Sequence, residues 1–157
     1  MGSRLASRQR RQGGSVAEKG RQAGQAGVLI VEDDADLRQA VCQILEEEGY
    51  RVRSAADGAE ALAALEHERE PCLILLDLMM PGMNGWEFLE RKNRHRRFET
   101  FPVVVVSAYL DRPPAGMPAF AAPHLKVDAV IRKPLDLNEL VETVARRAPR
   151  REVTSDE

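Results

Sequence analysis

Residues 73–87 read LILLDLMMPGMNGWE, and their order is already a piece of topology. Four consecutive aliphatic residues, 73–76, leave no polar face, as a strand covered on both sides of a sheet requires. Asp77 ends the run. A loop holding Pro81, Gly82 and Gly85 follows, where glycine supplies backbone angles that other residues resist. Asn84 then stands three residues before Glu87, the spacing of a helix N-cap and the acid of a capping box. A buried strand, a loop and a helix start thus follow one another directly.

The same grammar continues on both sides. Apolar runs at 28–31, 51–55, 103–106 and 129–131 predict four more strands, and 28–31 and 103–106 are again continuous and rich in Val, Ile and Leu. Leu37, Ala40, Val41, Ile44 and Leu45 follow i, i+3, i+4, i+7, i+8 and predict a helix that Gly49 can end. Leu137, Leu140, Val141, Val144 and Ala145 repeat that spacing. Asp57 with Glu60 and Asp136 with Glu139 mark two further helix starts. Five strands alternating with helices imply a parallel α/β sheet covered on both faces. Ligands of such sheets bind beyond the carboxyl ends of the strands.

Composition bounds the rest. The 157 residues suit one domain, and the two cysteines, Cys42 and Cys72, suit a reducing cytoplasm rather than a disulfide scaffold. No apolar run is long enough to span a bilayer, and the first thirty residues hold no secretory core segment. The net charge of −2 hides an asymmetry. Residues 1–27 carry +5 with almost no large apolar side chains and are expected to be a disordered basic arm. Residues 28–148 carry −6 and the fold; residues 149–157 form a short polar tail.

The strand ends gather chemistry. Glu32, Asp33 and Asp34 follow the first run, Asp77 the third, Ser107 the fourth, and Arg132, Lys133 and Pro134 the fifth. Two unit charges 4 Å apart repel by about 4 kcal/mol at an effective dielectric of 20. A hard divalent cation resolves that repulsion, and oxygen-only ligands favour magnesium. Lys133 and Ser107 then suit a phosphoryl group in the same pocket. Asp34 is read as the N-cap of the first helix, Asn84 as that of the third, and Trp86 as a core residue.

Together VLIVEDDADLR (28–38), LILLDLMMPGMNGWE (73–87), VVVVSA (103–108) and IRKPL (131–135) resemble the receiver domain of bacterial two-component response regulators. The resemblance implies a flavodoxin-like (βα)5 doubly wound parallel sheet with strand order 2-1-3-4-5. It implies that Asp77 is the phosphoacceptor, attacking the phosphohistidine of a sensor histidine kinase or phosphotransfer protein to form an acyl phosphate. It assigns Asp33, Asp77 and the backbone carbonyl of Met79 to a magnesium or manganese ion, with Glu32 acting through a metal-bound water. Lys133 would pair with a phosphoryl oxygen. Ser107 would bond the phosphoryl group after transfer and draw its loop inward, biasing a two-state surface.

Two departures from the family bear on the output. Val130 stands where the family often has an aromatic switch residue. The stretch 109–127 holds Pro113, Pro114, Pro118 and Pro123, which oppose an ordinary fourth helix but leave room for a short one after Pro114 or Pro118. Met79 and Tyr109, each two residues beyond a site residue, are expected to shield the acyl phosphate and set its lifetime. The expected function is a stand-alone cytoplasmic receiver with a downstream protein target and no membrane partner. A receiver fragment of a larger regulator is the alternative. A turnover phosphohydrolase is not expected, because such enzymes commonly carry a second Asp where this chain has Met79. Nucleic-acid binding would use the arm or the cluster Arg91, Lys92, Arg94, Arg96 and Arg97. The arm lacks aromatic residues for base stacking, and the cluster reads as a solvated helix C-terminus favoured by the macrodipole. His67, His95 and His124 have no metal-ligand spacing.

Overall fold

The three continuous aliphatic runs become the three inner strands of one parallel sheet in a computed structural model, which describes residues 26–149 apart from 111, 113–114, 117–118 and 120–121. The strands are β1 (Gly27–Val31), β2 (Arg51–Ala55), β3 (Cys72–Asp77), β4 (Val103–Ser107) and β5 (Ala129–Arg132), in the order β2-β1-β3-β4-β5. Every residue of β1, β3 and β4 is buried. The edge strand β2 exposes Arg51, Arg53 and Ser54.

Period-two geometry divides each inner strand between two helical layers. Val28 and Ile30, Leu73 and Leu75, and Val104 and Val106 pack with Val41 and Leu45 of α1 (Ala35–Glu47) and Leu140 and Val144 of α4 (Leu137–Arg147). Leu29 and Val31, Ile74 and Leu76, and Val103 and Val105 turn the other way. They meet Ala61 and Leu65 of α2 (Gly58–Glu66) and Trp86, Phe88 and Leu89 of α3 (Gly85–Arg94). Each fully buried Leu or Ile contributes about 2 kcal/mol through burial.

The helix starts follow their cap residues. Asp34 accepts from the amides of Asp36 and Leu37, Asp57 from Glu60, Asn84 from Glu87 and Asp136 from Glu139. Gly49 has φ +95° just beyond the end of α1.

Several strand boundaries differ from the sequence reading: β3 takes in Cys72 and Asp77 at its two ends, and β4 takes in Ser107. Gly27, placed in the arm, is the first residue of β1, where it pairs with both Arg51 and Cys72. β5 runs one residue further, to Arg132. In keeping with the prolines of 109–127, the helical turn among the described residues between β4 and β5 is only a 3-10 helix, at Pro123–Leu125. Proline at the first position of that turn is compatible with helix, because its missing N–H has no intrahelical partner in any case. Leu125 is buried and fills the core beside α3. Residues 1–25 and 150–157, with Pro113, Pro114 and Pro118, lie outside the described residues. Among the described residues no helix is long and apolar enough to cross a membrane.

Candidate functional site

The sheet itself brings the acids together. β1 and β3 pair with Val31 opposite Leu76, so the next residues out, Glu32 and Asp77, stand side by side on neighbouring strands about 4.8 Å apart. Both are buried, at 5% exposure each, and Asp33 is exposed beside them. Ligand oxygens of Glu32, Asp33 and Asp77 all lie within 4.8 Å of one another.

Lys133 arrives from the far side. Its amide donates to the Ser107 carbonyl at 3.1 Å, which continues the β4–β5 pairing by one residue. Its ammonium then reaches Glu32 Oε2 at 3.0 Å and Asp77 Oδ2 at 3.3 Å. The peptide bond to Pro134 is cis. One cation therefore bridges two buried carboxylates that the sheet forces together.

The remaining bonds are short-range. Asp77 Oδ1 accepts from the Met79 amide at 3.1 Å, and Ser107 Oγ accepts from the Tyr109 amide at 3.0 Å. Each is a side chain bonded to the amide two residues on, a local turn that orients the site residue. Glu32 Oε1 accepts from the Asp34 amide at 3.3 Å. Met79 and Tyr109, two residues beyond Asp77 and Ser107 respectively, are 41% and 52% exposed.

Burial is the largest influence on the titration of all three charged groups. It pushes Glu32 up to about 7, helped by the Asp77 charge and opposed by the Lys133 hydrogen bond. It raises Asp77 too, against the Met79 amide and Lys133. Burial alone would lower Lys133, but Glu32 and Asp77 outweigh it and hold the ammonium above its ordinary range.

For Glu32 the folded state binds the proton more tightly than the unfolded chain. Its contribution to stability is therefore present below its ordinary value of 4.5 and lost as pH rises through about 7. In metal-free protein, Glu32→Gln is expected to flatten that part of the stability curve, measured by urea unfolding at pH 4.5, 6 and 8. An unchanged slope would contradict the burial argument.

Most residues singled out in the sequence sit at this rim. Glu32, Asp33, Asp77 and Lys133 meet directly, and Ser107 joins them through its carbonyl. Val130 sits apart, half-buried in β5 opposite Val105. Among the described residues, the one group of three acidic, His or Cys side chains close enough to share a cation is Glu32, Asp33 and Asp77. An all-oxygen set with an exposed member fits a hard, partly hydrated divalent cation.

The basic cluster needs correction. Lys92 is completely buried, with its ammonium bonded to Asn93 Oδ1 and the Glu99 carbonyl, both at 3.2 Å. Burial lowers it to about 8. Arg97 donates to the carbonyls of Glu66 and Glu68 and lies over Phe98, on which His95 also stacks. Two of the five cations are thus committed to internal structure. Lys92 stands four after Phe88 and three after Leu89, so helical spacing already placed it on the buried stripe of α3.

Comparison with known proteins points the same way. The family model of the response regulator receiver domain matches residues 28–145. The response regulator Rre1 of Synechocystis is 33% identical over 132 residues, covering 82% of this chain and 54% of Rre1. Sporulation initiation phosphotransferase F of Bacillus subtilis is 33% identical over 124 residues, covering 78% of this chain and 93% of that protein. The chain thus spans about half the length of Rre1 but nearly all of the phosphotransferase. The chemotaxis protein CheY4 of Vibrio cholerae superposes with a TM-score of 0.68 at 29% identity, covering 78% of this chain and 98% of CheY4. The strand order, the acidic rim and the family match agree, and the chain belongs to the receiver-domain family of two-component response regulators.

Proposed function

We propose that residues 28–148 form a phosphoacceptor module in which Asp77 takes a phosphoryl group from the phosphohistidine of a histidine kinase or phosphotransfer protein. The observation that carries this reading is the placement of Asp77, buried at the strand-end rim between two further carboxylates and one ammonium. An Asp77 carboxylate oxygen forms the new P–O bond as the donor P–N bond breaks. The electron pair of the P–N bond stays on the donor imidazole.

Asp33 and Asp77, with the carbonyl of Met79, would hold a magnesium or manganese ion, and Glu32 would act through a bound water. When bound, the ion supplies positive charge that keeps the carboxylates ionised and neutralises phosphoryl oxygens. Lys133 exchanges its present bond to Asp77 for one to a phosphoryl oxygen. Ser107 gives up the Tyr109 amide and turns its hydroxyl toward the phosphoryl group. That exchange moves the start of the β4–β5 connection and alters the surface read by a downstream protein. Val130 follows this movement as a packing residue, without the swing of an aromatic ring. Met79 and Tyr109 shield the product from water.

The test is incubation with a small acyl-phosphate donor and magnesium, followed by intact mass. Native protein is expected to gain one phosphoryl group and Asp77→Asn none. Equal labelling of both, or many fast turnovers of donor in place of a stable label, would reject the reading.

A further inference from the structure

Arg38 stands in the first turn of α1, and its side chain folds back over the segment that leads into the helix. Its Nη1 donates to the Glu32 carbonyl at 2.7 Å and reaches the Asp33 carbonyl at 3.5 Å. The Glu32 amide meanwhile donates to the Ala55 carbonyl of β2 at 3.0 Å. Residue 32 is therefore held through its backbone on both sides, by β2 and by Arg38. The Arg38 amide closes the turn by donating to the Asp34 carbonyl at 2.9 Å. The carboxylates of Glu32 and Asp33 leave the chain from this fixed stretch.

A guanidinium so close to an acidic pocket can act on an incoming cation in two opposite ways. Its charge repels the cation and weakens binding. Its hydrogen bonds fix the directions in which the acids project, which removes an ordering cost and strengthens binding. The bonds formed favour the second effect, because Arg38 donates to carbonyl oxygens and the carboxylates of Glu32 and Asp77 are engaged by Lys133.

We propose that Arg38 is a positioning residue for divalent-cation binding, holding the backbone of residues 32–33 so that their carboxylates converge with Asp77. This rests on the reading of the pocket as a magnesium site. Nothing in the phosphoryl chemistry touches Arg38. Its favourable effect reaches the site through the peptide units it clamps.

The opposite signs of the two effects make the test decisive. Magnesium is titrated calorimetrically into the full chain and its Arg38→Ala and Arg38→Lys variants, with circular dichroism used to establish that each is folded at the working temperature. Arg38→Ala is expected to bind magnesium about 10-fold more weakly, the size typical of losing a group that orients metal ligands. Arg38→Lys keeps the charge, loses the planar fork, and is expected to fall between the two. Should Arg38→Ala fail to fold, the Lys variant carries the comparison. Equal or tighter binding by the variants, with native protein binding normally, would overturn the role of Arg38 alone. No binding by native protein would overturn the magnesium reading and this proposal with it.

Discussion

Gly85→Ala is expected to cost about 3 kcal/mol, near the top of the usual range for an added methyl group in a packed interior. A Cβ at this position would lie 2.6 Å from the Leu78 Cα and 2.8 Å from the Asp77 carbonyl oxygen. Both are backbone atoms, so no rotamer change can relieve the clash. Gly85 also donates its amide to the Leu78 carbonyl at 3.0 Å, which clamps the start of α3 against the end of β3. Pushing these segments apart moves Asp77. Urea unfolding reads the stability, and labelling by the acyl-phosphate donor reads the displacement. Gly82 provides the contrast: its φ is +74°, but a methyl group there would meet nothing within 4 Å. Gly82→Ala should cost only about 1 kcal/mol, the ordinary penalty for a left-handed residue with a side chain. A Gly85→Ala variant as stable as Gly82→Ala would mean that the close approach does not matter.

The second large effect concerns Lys133→Met, which keeps most of the stem and deletes the charge. Removing one member of a buried ion pair typically costs about 3–5 kcal/mol, because the partner is left charged and desolvated. Here two carboxylates lose their shared cation, with side-chain exposures of only 7% for Glu32 and 6% for Asp77. The loss should be largest at pH 8, where the acids are more fully ionised than at lower pH. It should shrink toward pH 5, because burial already lifts both groups and loss of the ammonium lifts them further. Magnesium should recover part of it by replacing the missing charge. Equal losses at pH 5 and pH 8, measured by urea unfolding without metal, would show that Lys133 stabilises through its stem instead.

The readable parts of this fold were those governed by short periods. Continuous runs such as 73–76 and 103–106 identified the inner strands because burial on both faces leaves no alternation to interpret. Caps were readable because an Asn or Asp bonds an amide only two or three residues away. The convergence of acids at one rim followed from parallel pairing, which sets residues that follow neighbouring strands side by side. What escaped depended on distant partners. The Lys133–Glu32 bond joins residues 101 apart, and no local pattern announces that it is shorter than the bond to Asp77. Glu68 lies in a charged stretch that looks solvated, yet it is buried under Arg51 and Arg53, whose guanidinium groups contact its two oxygens at 3.1 and 2.9 Å. The prolines of 109–127 warned against a regular helix, but not that Leu125 would fill the core from a 3-10 turn, where Asn93 bonds the carbonyls of His124 and Leu125.

The direction of the strands has a practical consequence. β1 enters at Gly27 and delivers Glu32 five residues later, so the point of entry and the acidic rim are separated by about 17 Å of extended chain. α4 begins just past the rim at Leu137 and runs back for 11 residues, a rise of about 16 Å, with Val144 packed beside Leu45 and Leu73. Both attachment points of the described fold therefore lie at the end remote from the pocket. A dye, a bead or a carrier protein joined through residue 26 or residue 149 would leave the rim open to a bulky phosphodonor. Tethered and free forms should then take up phosphate at the same rate.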